Sequence, residues 1–321
     1  MTPVDLRSDT LTKPTPGMLA AMAAAEVGDE QYREDPSVNE LQRRMAELLG
    51  QEAALFLPTA TMANQAALRA QTTPGATLLA EERTHVMVYE AGGPAIHSGL
   101  VMRSVPGEAG RLSVEHIETE PELGRGGIVV LENTHRSSGG RVWPLDAFRD
   151  AVDAAHARGA RVHLDGARLF NAAVAAGESP SAWSAHADSV TICFSKGLGC
   201  PLGAVLASSA ETIERAWEAK FLFGGALRQA GVVAAAMLYA LDHHVERLAE
   251  DHARARVLDP DAETNFAVLE DRPGLQASLR ERGLLVGNLR PGWLRAVTYL
   301  GVSDDDVEAA AQILAELRVA A

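Results

Sequence analysis

The sequence predicts an α/β fold: a mostly parallel sheet with helices on both faces, followed by a small α+β region. Three observations predict it. Short apolar segments without polar alternation recur up to residue 208, which is typical of strands buried on both faces. Longer alanine-rich segments separate these strands, as helices do in parallel sheets. After about residue 242 the segments become shorter and more charged.

The predicted strands of the large sheet are "AALFLP" (53–58), "ATLLAE" (76–81), "GIVVLENTH" (127–135), "ARVHLDGAR" (160–168), "SVTICFS" (189–195) and "GAVLAS" (203–208). Helices are predicted between or after them, including "TATMANQAALRAQ" (59–71), "PLDAFRDAVDAAHARG" (144–159) and the apolar "GVVAAAMLYAL" (231–241). Polar side chains follow several of these strands. Because ligand sites form at the carboxyl ends of such strands, we expect the functional site there.

The C-terminal region begins with "DHHVERLAEDHARARVL" (242–258), predicted to be one charged amphipathic helix on which His243 and His244 are solvated. Short strands are predicted at "ETNFAVLE" (263–270), "GLLVGNL" (283–289) and "LRAVTYL" (294–300), with a capped helix from residue 303 to the end. We therefore expect an N-terminal arm (1–15), a large domain (16–242) and a small domain (243–321).

Composition narrows the class of protein. The 321 residues are 47% hydrophobic and 22% charged, as in ordinary globular proteins. A net charge of −14 argues against nucleic acid or an anionic membrane as the main partner. Two cysteines cannot form a disulfide framework in a chain of this length, which favours a cytoplasmic protein. No secretory signal or membrane-spanning segment is expected.

Lys196 follows an apolar strand and begins a loop that contains Gly197, Gly199 and Gly203. A solvated lysine in a connecting loop is the simplest interpretation. A dinucleotide-binding glycine motif is disfavoured because Pro201 interrupts it and a strand, not a helix, follows. The third interpretation is a lysine that reacts with a carbonyl group as a Schiff base.

Asp165 ends an apolar strand, where an unpaired carboxylate is costly. One interpretation is a cap for the helix that follows. The other is a carboxylate that pairs with the ring nitrogen of pyridoxal phosphate (PLP) and keeps that ring electron-withdrawing. Arg168, three residues later, is either an exposed helix residue or a clamp for a substrate carboxylate.

A polar turn also leads from a strand into a helix at "LPTATMANQ" (57–65), where backbone N–H groups and threonine hydroxyls suit a phosphate or simply cap the helix. His85 offers a flat ring that could stack on a flat cofactor, although a lone histidine is more often just packed or exposed. The ten histidines and two cysteines show no metal-binding spacing, so no metal is expected.

The ordered motifs resemble those of one family, the low-specificity L-threonine aldolases, which are fold-type-I PLP enzymes of the aspartate aminotransferase superfamily. The resemblance covers nearly the whole chain and rests on "DLRSDTLTKPT", "GDEQYREDPSVNELQ", "FLPTATMANQ", "ENTH", "HLDGARLFNA", "DSVTICFSKGLGCPLGAVL", "GGALRQAGVVAAAMLYAL", "RLAEDHARAR" and "ETN". It implies a PLP-dependent aldehyde-lyase that cleaves an L-β-hydroxy-α-amino acid, of the threonine or allo-threonine type, into glycine and an aldehyde.

The resemblance also implies roles for individual residues. Lys196 would form the Schiff base, Asp165 would meet the pyridinium nitrogen, and His85 would stack on the ring. The phosphate would be held by Ala60 and Thr61, and the substrate carboxylate by Ser8, Arg168 and Arg295. His135 would lie near the β-hydroxyl group and Tyr89 would line the pocket, with His135 or His85 as the base. A neighbouring subunit of a dimer or dimer of dimers would supply Tyr32 and Arg228.

The sequence departs from the family pattern at four positions around the expected substrate, which are Ala60, Arg136, Phe221 and Ala226. These changes leave substrate preference open. Two other functions also remain open. One is a different fold-type-I PLP reaction, such as β-elimination, racemisation or transamination. The other is a catalytically silent binding protein, against which the retention of Lys196, Asp165 and Arg168 argues.

Overall fold

The computed structural model describes residues 3–319. Its strands are β1 (Val4–Leu6), β2 (Ala53–Leu57), β3 (Thr77–Glu81), β4 (Val101–Val105), β5 (Ile128–Glu132), β6 (Arg161–Asp165), β7 (Ser189–Cys193), β8 (Ala204–Ser208), β9 (Phe266–Glu270), β10 (Leu284–Arg290) and β11 (Trp293–Val297). Its helices are α1 (Pro16–Ala23), α2 (Pro36–Leu49), α3 (Ala60–Gln71), α4 (His85–Val88), α5 (Gly93–Ser98), α6 (Val114–Thr119), α7 (Leu145–Ala157), α8 (Leu169–Ala176), α9 (Ser181–Ser184), α10 (Ala210–Leu222), α11 (Gly231–His243), α12 (Leu248–Leu258), α13 (Leu275–Glu281) and α14 (Asp304–Val319).

The larger sheet has the strand order β2-β8-β7-β6-β5-β3-β4. Neighbouring strands from β7 to β4 are parallel, whereas β8 runs antiparallel to both β7 and β2. The inner strands β3, β5, β7 and β8 are buried along their whole length, and β6 is buried after its exposed first residue, because helices cover both faces. These observations confirm the α/β fold class. The carboxyl ends of β5, β6 and β7 meet at one edge, which positions the site.

The smaller sheet has the order β1-β10-β11-β9. Its strand β1 comes from the N-terminal segment and pairs in parallel with β10, from Val4 opposite Leu284 to Leu6 opposite Val286. A separate apolar core that includes Leu6, Leu294 and Leu314 lies on this sheet. The N-terminal arm thus shares a sheet with the C-terminal region. The domain limits at residues 15 and 242 stay a prediction.

One expectation about the secondary structure was wrong. The segment 242–258 is not one helix: α11 ends at His243 and α12 begins at Leu248. The chain turns between them because α11 packs on α1 and α2, whereas α12 packs on α8 and α14. Strands β1 and β4 were not predicted; β4 is mostly exposed and lacks a continuous apolar pattern. Among the described residues, no helix combines the length and apolar character needed to cross a bilayer.

Candidate functional site

Lys196 lies in the loop between β7 and β8, where the parallel strands of the larger sheet end. The loop closes on itself, since the N–H of Gly199 donates to the carbonyl of Lys196 at 2.9 Å. Gly199 has a φ of +83°, a conformation that glycine adopts without steric cost. His244, predicted to be solvated, is buried, and its Nδ1 lies 2.8 Å from the carbonyl of Leu198. The glycines therefore shape a tight loop that a histidine ring holds in place.

The chain contains three lysines, and each has a different environment. Lys13 is exposed. Lys220 is fully buried against Glu30, and burial lowers its pKa to about 7. Lys196 is half-buried and lines a narrow cleft together with Arg168. Of the three, only Lys196 combines a position at the strand ends with access to a cleft.

Asp165 is the last residue of β6 and is almost completely buried. Its Oδ2 accepts a hydrogen bond from Asn64 Nδ2 at 2.9 Å, and its Oδ1 accepts one from the backbone N–H of Ala167 at 3.1 Å. The N-cap of α8 is Arg168, so Asp165 does not cap that helix. The cap interpretation is therefore wrong, and the interpretation of Asp165 as a carboxylate available to a ligand stays a prediction.

His85 begins α4, beside the end of β5. Its backbone N–H donates to Glu132 Oε2 at 2.6 Å, and its Nδ1 lies 2.8 Å from Glu90 Oε1. Burial lowers the pKa of His85, but Glu90, Asp165 and Glu132 outweigh burial and raise that pKa above its usual value. The side chain is 29% exposed whereas that of Glu90 is fully buried. Glu90 therefore orients the ring and leaves Nε2 as its accessible nitrogen.

Arg168 is buried and forms a two-pronged ion pair with Asp9. Its Nε and Nη2 donate to the two carboxylate oxygens at 2.7 and 2.6 Å. Burial raises the pKa of Asp9, but Arg168 reverses this and lowers it to about 2. Nη1 of Arg168 is not part of this pair. Asp9 thus fixes the plane of the guanidinium group with one nitrogen left over for another acceptor.

Arg295, on β11, contrasts with Arg168. It is 7% exposed, and its Nε and Nη1 have no hydrogen-bond partner among the described residues. Burial lowers its pKa to about 10, and the charges of Arg136 and Arg168 contribute. Arg168 and Arg295 lie over the same ring, that of Phe266, at 5.0 and 5.4 Å. A buried cation without a partner is costly, so this position suits an anionic ligand.

His135 follows β5 and is completely buried. Its Nδ1 lies 2.9 Å from Ser138 Oγ, and its Nε2 lies 3.1 Å from Glu81 Oε2 in a geometry too oblique for a good hydrogen bond. A side chain at Gly110 would collide with the ring. Burial lowers the pKa of His135, but Glu132 and Glu81 raise it by more than burial lowers it, so the pKa lies above its usual value. The protein encloses His135 on all these sides, in contrast to His85.

The start of α3 lies beside an open cavity of about 580 Å³. Thr59 caps the helix by accepting a hydrogen bond from the N–H of Met62 at 3.1 Å. The N–H groups of Ala60 and Thr61 have no acceptor within the helix, as is normal for its first turn. Thr59 and Thr61 line the cavity. Free N–H groups at a helix start, next to a cavity, suit a phosphate group.

The remaining predicted residues are more exposed. Tyr89 is 44% exposed, and Arg136 Nη1 donates to its hydroxyl at 2.6 Å while the guanidinium group lies over its ring. Ser8 directly precedes Asp9, and its Oγ accepts a hydrogen bond from the Thr10 hydroxyl at 2.9 Å. Tyr32 (74% exposed) and Arg228 lie on one surface, since the N–H of Glu30 donates to the carbonyl of Arg228 at 2.9 Å. Of the departures, Phe221 is exposed and Ala226 half-buried.

Three residues of this region were missed by the sequence analysis: Asp9, Asn64 and Glu90. Asp9 and Asn64 stand inside quoted motifs, so their polar side chains in "DLRSDT" and "TMANQ" were the available signal. Glu90 gives no signal in the sequence, because it lies in an irregular segment between α4 and α5. His85, Glu90 and Asp165 also come close enough together for a metal site to be considered. They already bond to each other or to Asn64, and we assign no metal.

Comparisons with known proteins bear on the fold and the family of this chain. The family model for the beta-eliminating lyases matches residues 5–280. The low specificity L-threonine aldolase of Escherichia coli (strain K12) is 38% identical over 324 residues, which cover 95% of this chain and 96% of that protein. The solved Leishmania major threonine aldolase has a TM-score of 0.82 at 18% identity, covering 98% of this chain and 99% of that one. A structure of SPT with PLP has a TM-score of 0.72 at 19% identity, covering 100% and 87%.

The fold is that of the fold-type-I PLP-dependent enzymes. The match of the family model and the identity to full-length relatives then identify the family. The chain belongs to the beta-eliminating lyases, and within them it is related along its whole length to the low-specificity L-threonine aldolases. The resemblance detected in the sequence is confirmed.

Proposed function

We propose that this protein is a PLP-dependent aldehyde-lyase that cleaves an L-β-hydroxy-α-amino acid, of the L-threonine or L-allo-threonine type, into glycine and an aldehyde. The observation that carries the proposal is identity of 38% across 95% of the chain to an L-threonine aldolase. The convergence of Lys196, Asp165 and His85 at the carboxyl edge of one sheet supports it, since these are the residues such a reaction requires.

The residues present fit PLP. The N–H groups of Ala60 and Thr61 have no acceptor within α3 and lie at the helix start, beside a cavity that Thr61 lines, so they suit the phosphate of PLP. Asp165 offers a buried carboxylate for the ring nitrogen, His85 offers a flat ring, and Lys196 offers the amine that binds the aldehyde group. When bound, PLP supplies an electron-withdrawing ring that accepts the electron pair released from a bond at the substrate Cα.

Arg295 supports the proposal for the substrate carboxylate. Its Nε and Nη1 are buried without partners, so an incoming carboxylate satisfies them. Arg168 adds its Nη1, with its plane already fixed by Asp9, and Ser8 lies next to Asp9. Two arginines that hold one carboxylate fix the rotation of the substrate about Cα, and this rotation decides which bond breaks.

We assign the proton transfer to His85. With Nδ1 held by Glu90, Nε2 is free to take the proton of the β-hydroxyl group as the Cα–Cβ bond breaks and the aldehyde leaves. His135 is enclosed by Ser138, Glu81 and Gly110. In this proposal His135 supports the neighbouring turn that carries Arg136, and Tyr89 lines the pocket.

The test is a panel of L-threonine, L-allo-threonine, L-serine and L-phenylserine, incubated with PLP-loaded protein. Glycine and the matching aldehyde should form in equal amounts from a β-hydroxy substrate. The family description also covers β-elimination, which would instead release ammonia and a 2-oxo acid. Those products without glycine, or no turnover of any substrate by PLP-loaded protein, would overturn the proposal.

We further propose a cytoplasmic homo-oligomer, either a dimer or a dimer of dimers. The exposed side chains of Tyr32 and Arg228 on one surface support a site shared between subunits. The two cysteines are buried and unpaired, as is usual in a reducing compartment. A small amino acid is the expected partner of the site, with no nucleic acid and no membrane.

A further inference from the structure

We propose that Asn64 is a positioning residue that holds two carboxylates of the site, Asp165 and Glu90, in one oriented hydrogen-bond chain. The inference rests on the proposed function, which places Asp165 at the ring nitrogen of PLP and gives Glu90 the task of orienting His85. Asn64 lies in the second turn of α3, and its side chain is buried.

The amide of Asn64 lies between the two carboxylates. Its Nδ2 donates to Asp165 Oδ2 at 2.9 Å and to Glu90 Oε1 at 2.8 Å. An amide nitrogen carries two hydrogens, so each carboxylate receives one. The same Glu90 oxygen lies 2.8 Å from Nδ1 of His85. One amide therefore links the carboxylate assigned to the cofactor ring with the carboxylate that holds the proposed base.

The orientation of this amide is fixed from the other side. Because Nδ2 must face the carboxylates, Oδ1 faces His163, whose Nε2 lies 3.1 Å away and has to carry a hydrogen. Burial lowers the pKa of His163 to about 4, so its ring is neutral. Its Nδ1 then accepts from the Ser189 hydroxyl at 2.7 Å. Donors and acceptors thus match at every step from Ser189 to Asp165.

A fully satisfied buried network of this kind holds its members in one arrangement, whereas a partly satisfied one is costly. Removal of the amide leaves Asp165 Oδ2 without its donor and takes one of three partners from Glu90, which keeps Gln65 and His85. Replacement of the amide by a carboxylate places three carboxylates in contact. The other titratable groups close to this network among the described residues are His85 on α4, Glu132 on β5 and His135 after β5. The network therefore requires the two amide hydrogens of Asn64, and a side chain of the same size without them does not replace it.

The test compares Asn64→Ala, Asn64→Asp and wild type by the dissociation constant of PLP from the apoprotein, measured between pH 6 and 8.5. Asn64→Ala should weaken PLP binding by about tenfold, the value of one charge-assisted hydrogen bond. Asn64→Asp should be weaker still at pH 8.5 and should recover relative to wild type as the pH falls, because the introduced carboxyl then regains a hydrogen. A packing role predicts the opposite order, since aspartate matches asparagine in size and alanine does not.

Ser98→Ala is the matched control, because Ser98 is buried on α5 against α3 and its hydroxyl has no partner. It should bind PLP as wild type does. Thermal unfolding of each apoprotein checks that the variant folds. If Asn64→Asp does not fold, Asn64→Leu replaces it, because leucine has a similar size and no donor. Asn64→Leu should bind PLP as weakly as Asn64→Ala does. Glycine formation by wild type tests the proposed function separately. The inference is overturned if Asn64→Ala binds PLP within about twofold of wild type, or if Asn64→Asp binds PLP more tightly than Asn64→Ala at every pH. Where Asn64→Leu is used, PLP binding like that of wild type also overturns it.

Discussion

At the scale of single residues, Lys196 carries the sharpest prediction. The variant Lys196→Ala should lose covalent attachment of PLP and almost all turnover, because neither of the other lysines reaches the site: Lys13 is exposed, and Lys220 is enclosed against Glu30. The measurement is borohydride reduction followed by peptide mapping, which should label Lys196 in wild type and nothing in the variant. Lys13→Ala is the control and should remain labelled. A label on Lys220 in wild type would contradict the assignment.

Glu90 gives a prediction about pH. The hydrogen bond and negative charge of Glu90 raise the pKa of His85, and Glu90→Gln keeps the shape while removing the charge. The pKa of His85 should fall, so the base loses its proton at lower pH and the acidic limb of the kcat/KM profile should move to lower pH. Glu34→Gln is a control, since Glu34 is exposed and lies outside the described site. An unmoved acidic limb in Glu90→Gln would show that His85 does not control it.

At the scale of elements, the ion pair between Asp9 and Arg168 joins the segment after β1 to the start of α8. Asp9→Asn leaves the buried guanidinium without a countercharge, which should lower the free energy of unfolding by about 3–5 kcal/mol. Glu214→Gln breaks the exposed pair with Arg33 and should cost less than about 1 kcal/mol. Denaturant unfolding of the two variants measures the difference. Equal losses would show that burial of the Asp9 pair does not matter.

The same pair predicts how stability responds to acid. The pKa of Asp9 is about 2 in the folded protein, below the ordinary value of 3.8. The unfolded chain therefore binds the proton first as pH falls, and the stabilisation is present above pH 3.8 and disappears as pH falls towards 2. Over that interval wild type should lose stability more steeply than Asp9→Asn, as measured by denaturant titrations at several pH values.

At the scale of the whole molecule, we expect an oligomer whose subunits share sites. Sedimentation of wild type at micromolar concentration should give at least a dimer. Tyr32 and Arg228 are exposed, and neither has a role in the site within one subunit. Arg228→Ala should therefore lower kcat/KM by about tenfold, while the unfolding temperature of the apoprotein stays unchanged. Arg125→Ala, at an exposed surface loop, serves as the control. A fully active monomer would contradict the shared site.

The sequence by itself determined the fold class, the family and the positions of the buried strands along the chain. Unbroken apolar segments specify strands buried on both faces, because such a pattern is stable in few other environments. The ends of those strands predicted Lys196 and Asp165 as site residues. Local pattern failed at β4 and at the turn between α11 and α12, where packing partners rather than propensity decide the structure.

Only the tertiary structure decided which groups are free and which are paired. Arg168 and Arg295 look alike in the sequence, yet Arg168 forms an ion pair with Asp9. Among the described residues, nothing accepts a hydrogen bond from Nε or Nη1 of Arg295. His85 and His135 differ in the same way, since one is accessible and the other enclosed. Pairing depends on contacts between residues far apart in the chain, such as Asp9 with Arg168 and Asn64 with Asp165. Sequence patterns report only on near neighbours, so the charge and hydrogen-bond state of each side chain had to come from the fold.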